Sequence, residues 1–130
     1  MLGALSSVGT TWVTRNASVL LVFAPLLVVT GVLGFTLPPH LSLMSGATPY
    51  NVFHLVSGAA GLVILARRSL SGAVAFNLVF GCIDLWQAVA GVTGLFPARW
   101  FALRPADHVV HLLVGVGLVA VGYLGKKSRP

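Results

Sequence analysis

The residues of this chain best suited to chemistry are histidines in a doubled motif. Asn51-x-x-His54-x-x-x-Gly58 recurs, 57 positions later, as His108-x-x-His111-x-x-x-Gly115. Each copy opens a hydrophobic run, where an imidazole costs free energy unless something satisfies it, and matching positions suggest one shared environment. Two chemistries suit such a pair. His54 and His111 on alternate helices are candidate axial ligands to a b-type haem, or single ligands to chlorophyll-type pigments, with a glycine one turn below each for a flat macrocycle. Alternatively, His108 and His111 stand i, i+3 on one face, beside Asp107 and opposite His54. Three imidazoles and a carboxylate of that kind are a candidate zinc or copper site.

A plainer reading stands beside both. Asn51 and Asp107 fall in first helical turns, where their side chains can satisfy free backbone amides, and each histidine can fix the packing of its hairpin through a hydrogen bond. Asp84 is harder to place. It falls near the middle of an apolar run, where even a lenient insertion scale charges a carboxylate about 2.5–3.5 kcal/mol. Pairing with Gln87, Asn77 or water, or protonation, would relieve it. These four, Asn51, Asn77, Asp84 and Gln87, are expected to form a polar interior network.

Composition says what surrounds these groups. Of 130 residues, 57% are hydrophobic and 8% charged, against about 25% charged in an ordinary soluble domain. Too little polar surface remains to cover a globule in water, so lipid is the solvent for most of the chain. The net charge of +6 does not point to nucleic acid, because the basic residues sit scattered at segment ends and form no stripe. The single cysteine, Cys82, excludes an internal disulfide and is expected to be a small buried hydrophobe.

The elements that must position the motif are four apolar runs, about 19–36, 49–66, 72–95 and 106–125, within a transmembrane unit covering 19–125. Residues 1–18 are expected to be a cytoplasmic or interfacial segment and 126–130 a basic cytoplasmic tail. Leu37-Pro38-Pro39 cannot continue a helix, Thr48-Pro49 reads as an N-cap followed by proline, and Arg67-Arg68 and Pro97 close the next two runs. The fold class is therefore all-α: a polytopic membrane protein of four transmembrane helices. Arg15, Arg67-Arg68 and the Lys126-Lys127-Arg129 tail share one side, which places both termini in the cytoplasm of a bacterial inner membrane. No small-x-small site follows the first run before Pro38-Pro39, so cleavage of a leader is not expected, and the Asn16-Ala17-Ser18 sequon would face the cytoplasm. His40, in the Pro-rich loop, reads as solvated.

The first and third runs also match, ending in Thr30-Gly31-Val32-Leu33-Gly34-Phe35 and Ala90-Gly91-Val92-Thr93-Gly94-Leu95. Two like hairpins related by an axis along the membrane normal would put His54 and His111 at one depth. Gly-Val-x-Gly-Phe, then Asn-x-x-His-Leu-x-x-Gly, then Asp-x-x-x-His-Leu-x-x-Gly resembles domain-of-unknown-function family 4383, small four-helix bacterial membrane proteins, over nearly all of residues 19–122. The resemblance implies that fold and maps repeated polar positions onto Asn51, His54, Asp107 and His111. It implies no activity, and His108 departs from the Asn expected there.

No serine or cysteine nucleophile has a base in register, and two acids leave no spare catalytic pair. The favoured expectation is a non-enzymatic structural or accessory subunit, contacting lipid and packing as a homo-oligomer or with other membrane subunits through its glycine-rich faces.

Overall fold

The computed structural model describes residues 2–128, with side chains from residue 11 onward. It holds four α-helices, α1 (Leu2–Thr36), α2 (Thr48–Ala66), α3 (Leu70–Thr93) and α4 (Pro105–Lys127), a 3₁₀ turn at Pro39–Leu41, and no strand among the described residues. All four helices are long and apolar enough to cross a membrane, the first over Thr11–Thr36. At 1.5 Å per residue even α2, with 19 residues, reaches roughly 28 Å, close to the hydrocarbon thickness. The all-α, four-helix membrane fold expected from the sequence is the fold observed.

Local chemistry sets the ends. α1 stops before Pro38-Pro39, whose rings exclude a continuing helix. Pro25, inside α1, does not stop it. α2 has Pro49 in its first turn, but its N-cap is Ala47 rather than Thr48, with no side-chain cap. Ser69 caps α3 by accepting the Gly72 N–H at 2.9 Å. Gly94, at φ 74°, ends α3 in the left-handed region that glycine enters without strain. Lys126 and Lys127 lie in the last turn of α4, where positive charge complements the helix dipole. Arg129 of the basic tail lies outside the described residues.

The helices pair as two hairpins, α1 with α2 and α3 with α4. α1 also packs on both α3 and α4, whereas the α2 and α4 backbones do not pack on each other. Both copies of the motif glycine bring backbones together. A Cβ on Gly58 would lie 2.9 Å from the Ala24 carbonyl oxygen, and one on Gly115 would lie 3.0 Å from the Leu85 nitrogen. Leu27, Phe80 and Leu118 form the central apolar cluster, with Phe23 edge-on to Phe80 at 5.4 Å. Large side chains such as Leu21, Val22, Val92 and Leu113 point outward, as they do where lipid is the solvent.

Three sequence expectations are corrected. Residues 11–18 belong to the membrane-long stretch Thr11–Thr36 of α1, whose helix runs on from residue 2, and Asn16 is fully buried in the bundle. Cys82 is exposed on the outer face of α3, because an apolar residue in a lipid-facing position need not be inside. Asn77 does not pair with Asp84. Its side-chain N–H groups donate to Asn16, at 2.9 Å to Oδ1 and 3.2 Å to the carbonyl oxygen, while Asn16 Nδ2 donates to the Trp12 and Val121 carbonyls. This knot ties α1, α3 and α4 at the end of the bundle that carries the termini. A double-mutant cycle on Asn16→Ala and Asn77→Ala, followed by unfolding in detergent, is expected to return a coupling of about 0.6–1.7 kcal/mol, the range for polar pairs inside membrane bundles.

A candidate binding cavity between α1 and α4

At the opposite end, the 37–47 and 94–104 loops fold over the bundle. Asp107, fully buried, organises them. Its Oδ2 accepts the Ser45 N–H at 2.9 Å and the Arg104 N–H at 2.8 Å, the second closing the start of α4. Its Oδ1 accepts the Tyr50 hydroxyl at 3.1 Å. Ser45 Oγ donates to the Phe101 carbonyl, and the Arg104 guanidinium donates to the Ser42 carbonyl at 2.7 Å, so each loop grips the other. The cap expected of Asp107 is real, and it reaches beyond its own helix.

Tyr50 carries the network inward. Its oxygen lies 2.7 Å from His111 Nε2. A phenol has one hydrogen, and Asp107 Oδ1 takes it, so His111 Nε2–H is the donor of that bond. The ring of Tyr50 also packs 4.1 Å from the His54 imidazole and 5.8 Å from that of His111, centroid to centroid. Tyr50 and Asp107 occupy the same position in the two motif copies, as do His54 and His111. Equivalent residues that touch must lie near the axis relating the copies. The shared environment inferred for the two histidines therefore exists, with a phenol at its centre.

Below this network, α1 and α4 leave a cavity of about 250 Å³. Leu26 and Thr30 of α1 and Val110 and Val114 of α4 form its sides, with Leu26 and Val110 facing outward to lipid. Phe23 and Phe80 close its lower part, and Tyr50, His54, His111 and Asp84 bring polar atoms into it. Asp84 lies roughly 14 Å inside the nearer end of α3 at 1.5 Å per residue. It is 3% exposed, and no hydrogen bond to its carboxyl is made by any described residue. His54 Nδ1 and His111 Nδ1 are sealed from the cavity and lack partners.

The remaining site residues fall elsewhere. Asn51 donates from Nδ2 to the Gly46 carbonyl at 2.9 Å, serving a loop rather than a helix amide, and it lies in the space left by the absent side chain of Gly34. Gln87 is buried in α3 with Oε1 unpartnered, and Asn77 belongs to the far knot, so the expected single network of Asn51, Asn77, Asp84 and Gln87 is three separate placements plus the cavity carboxyl. His108 lies against Gly91 on the α3 side of α4, away from the cavity, and the Asp107 oxygens are occupied. No group of three histidine, cysteine or acidic side chains comes together among the described residues, so the metal set of His108, His111, His54 and Asp107 is not assembled.

The paired-histidine arrangement expected for a haem is not formed. His111 Nε2 is engaged by Tyr50, whose ring packs against His54. The cavity is also small. A void of about 150 Å³ takes one benzene, so about 250 Å³ suits one substituted ring and not a four-pyrrole macrocycle.

Tyr50, Ser45 and Asn16 were missed by the sequence reading. Tyr50 stands i, i+4 from His54 and at the repeat position of Asp107, a signal that was available. Ser45 and Asn16 act through long-range contacts that no local pattern announces.

The fold and site together define a four-helix, multi-pass membrane protein with a partly polar cavity whose sides include the outward-facing Leu26 and Val110. No protein-family model, no curated protein and no solved structure matches the chain.

Proposed function

We propose that this protein is a non-enzymatic component of the bacterial inner membrane that binds a lipid-dissolved small molecule in the α1–α4 cavity. It works there as a homo-oligomer or as an accessory subunit of a larger membrane assembly. Both termini are cytoplasmic, and the capped loops and the cavity mouth lie toward the other leaflet. One observation carries the reading: an apolar, outward-facing opening leads to the buried Asp84 carboxyl, to which no described residue hydrogen-bonds. Buried polar groups in native proteins nearly always have partners, and exceptions concentrate where a ligand or ion completes them. The opening between Leu26 and Val110 admits a ligand from lipid rather than from water. The resemblance of the repeated motifs to domain-of-unknown-function family 4383 is kept as part of this proposal for the four-helix unit alone, and it supplies no ligand.

The test is native mass spectrometry of the protein released from native nanodiscs. A small bound mass is expected on the wild type and not on Val114→Trp, whose indole would fill the cavity. Identical bound masses on both proteins would contradict the proposal.

A further inference from the structure

We propose that the ligand is a lipophilic organic cation, an amine or quaternary ammonium bearing one ring or a short alkyl body, with the Asp84 carboxylate as its counter-ion. This rests on the cavity being a lipid-fed binding site, and it adds the chemical class.

The chain has only two acids. Asp107 is committed, accepting two backbone N–H groups and a phenol. Asp84 has no such partner, yet it is 3% exposed and faces the cavity. No lysine or arginine lines that cavity. Arg15 is exposed on α1, and the other basic residues described sit in loops or near helix ends, so no described residue supplies a permanent counter-charge to the carboxylate. In a low-dielectric site a carboxylate without a counter-ion is expensive, and an opposite charge beside it offsets part of that cost, which favours a positive ligand as its partner.

The walls agree with the charge. Phe23, Phe80 and Tyr50 place aromatic rings around the same space, and ring faces attract ammonium groups most strongly when both are desolvated. His54 lines the cavity with a ring whose Nδ1 alone is sealed, leaving its other nitrogen able to accept an ammonium N–H. The volume of about 250 Å³ holds a single ring with its charged head, and a longer tail would leave between Leu26 and Val110 into lipid. An anionic amphiphile would meet Asp84 as a like charge. A neutral ring would fill the space and leave the carboxylate uncompensated.

The experiment compares benzyldimethyldodecylammonium with benzyl dodecyl ether, its uncharged counterpart, on the full chain in phosphatidylcholine nanodiscs by native mass spectrometry. The cation is expected to bind more tightly by at least about tenfold. Asp84→Asn should abolish that preference, and Asp84→Glu should keep most of it. Equal affinity for the two probes on the wild type, or an undiminished preference in Asp84→Asn, overturns the assignment of a cation. The ligand-binding reading survives that result if Val114→Trp still blocks both probes. Absence of any binding that Val114→Trp blocks overturns both. If Asp84→Asn does not fold, the wild-type comparison of the two probes decides the matter by itself.

Discussion

Asp107→Ala is expected to lower stability on the order of 3–5 kcal/mol, the loss typical of breaking a buried polar network. The substitution strips acceptors from the Ser45 N–H, the Arg104 N–H and the Tyr50 hydroxyl at once. Each buried donor left unmet costs about 1–3 kcal/mol, with Arg104 at the low end because it is only partly buried. Tyr50 would also lose the anchor that sets its contacts to His54 and His111, so the damage passes from the loops to the cavity. Asp107→Asn keeps one acceptor oxygen and should lose less than Asp107→Ala. Thermal or denaturant unfolding in one detergent checks the order of the three proteins. A stable Asp107→Ala would mean that the two loops are held by apolar contacts such as those of Phe101.

Gly58→Leu is expected to cost at least about 3 kcal/mol, the upper part of the range for overpacking, and Gly115→Leu the same. In each case the first added carbon meets backbone of the partner helix as well as a side chain, so swinging the side chain away does not relieve it: Ala24 and Val28 for Gly58, Leu85 for Gly115. The hairpins would have to open along their length. Gly117 provides the contrast within α4, since a Cβ there meets nothing within 4 Å, and Gly117→Ala should leave the unfolding midpoint unchanged or raised. Equal effects at 115 and 117 would show that helix propensity, not close approach, governs these glycines.

These glycines also show how much could be read in advance. Gly58, Gly61, Gly115 and Gly122 fall on the buried faces of α2 and α4 as their i, i+3, i+4 spacing with His54 and His111 required. A helix face is a local property, and period alone reveals it. The partners across faces are not. Asn77 and Asp84 were expected in one polar network, yet Asn77 meets Asn16 on another helix while Asp84 faces the cavity. Burial of Asn16 could not be foreseen from an assignment that began the first helix at residue 19. Cys82 shows the complementary error: in lipid, hydrophobicity does not separate inside from outside, so an apolar residue carries no burial signal. His108, singled out for its type, proved to be a packing residue against Gly91. The cavity itself was invisible, because it arises where α1 and α4 fail to close, and absence of contact has no sequence pattern.

The most direct test of a lipid-fed cavity is photolabelling of the protein in nanodiscs with a small apolar aryl diazirine that partitions into the bilayer, with sites mapped by peptide mass spectrometry. Labels are expected on outward residues such as Leu26 and Val110 and also on buried Tyr50 and Asp84, the latter two disappearing in Val114→Trp. Labels confined to the outward residues, with Tyr50 and Asp84 untouched in the wild type, would contradict an opening from lipid to the polar groups of the cavity.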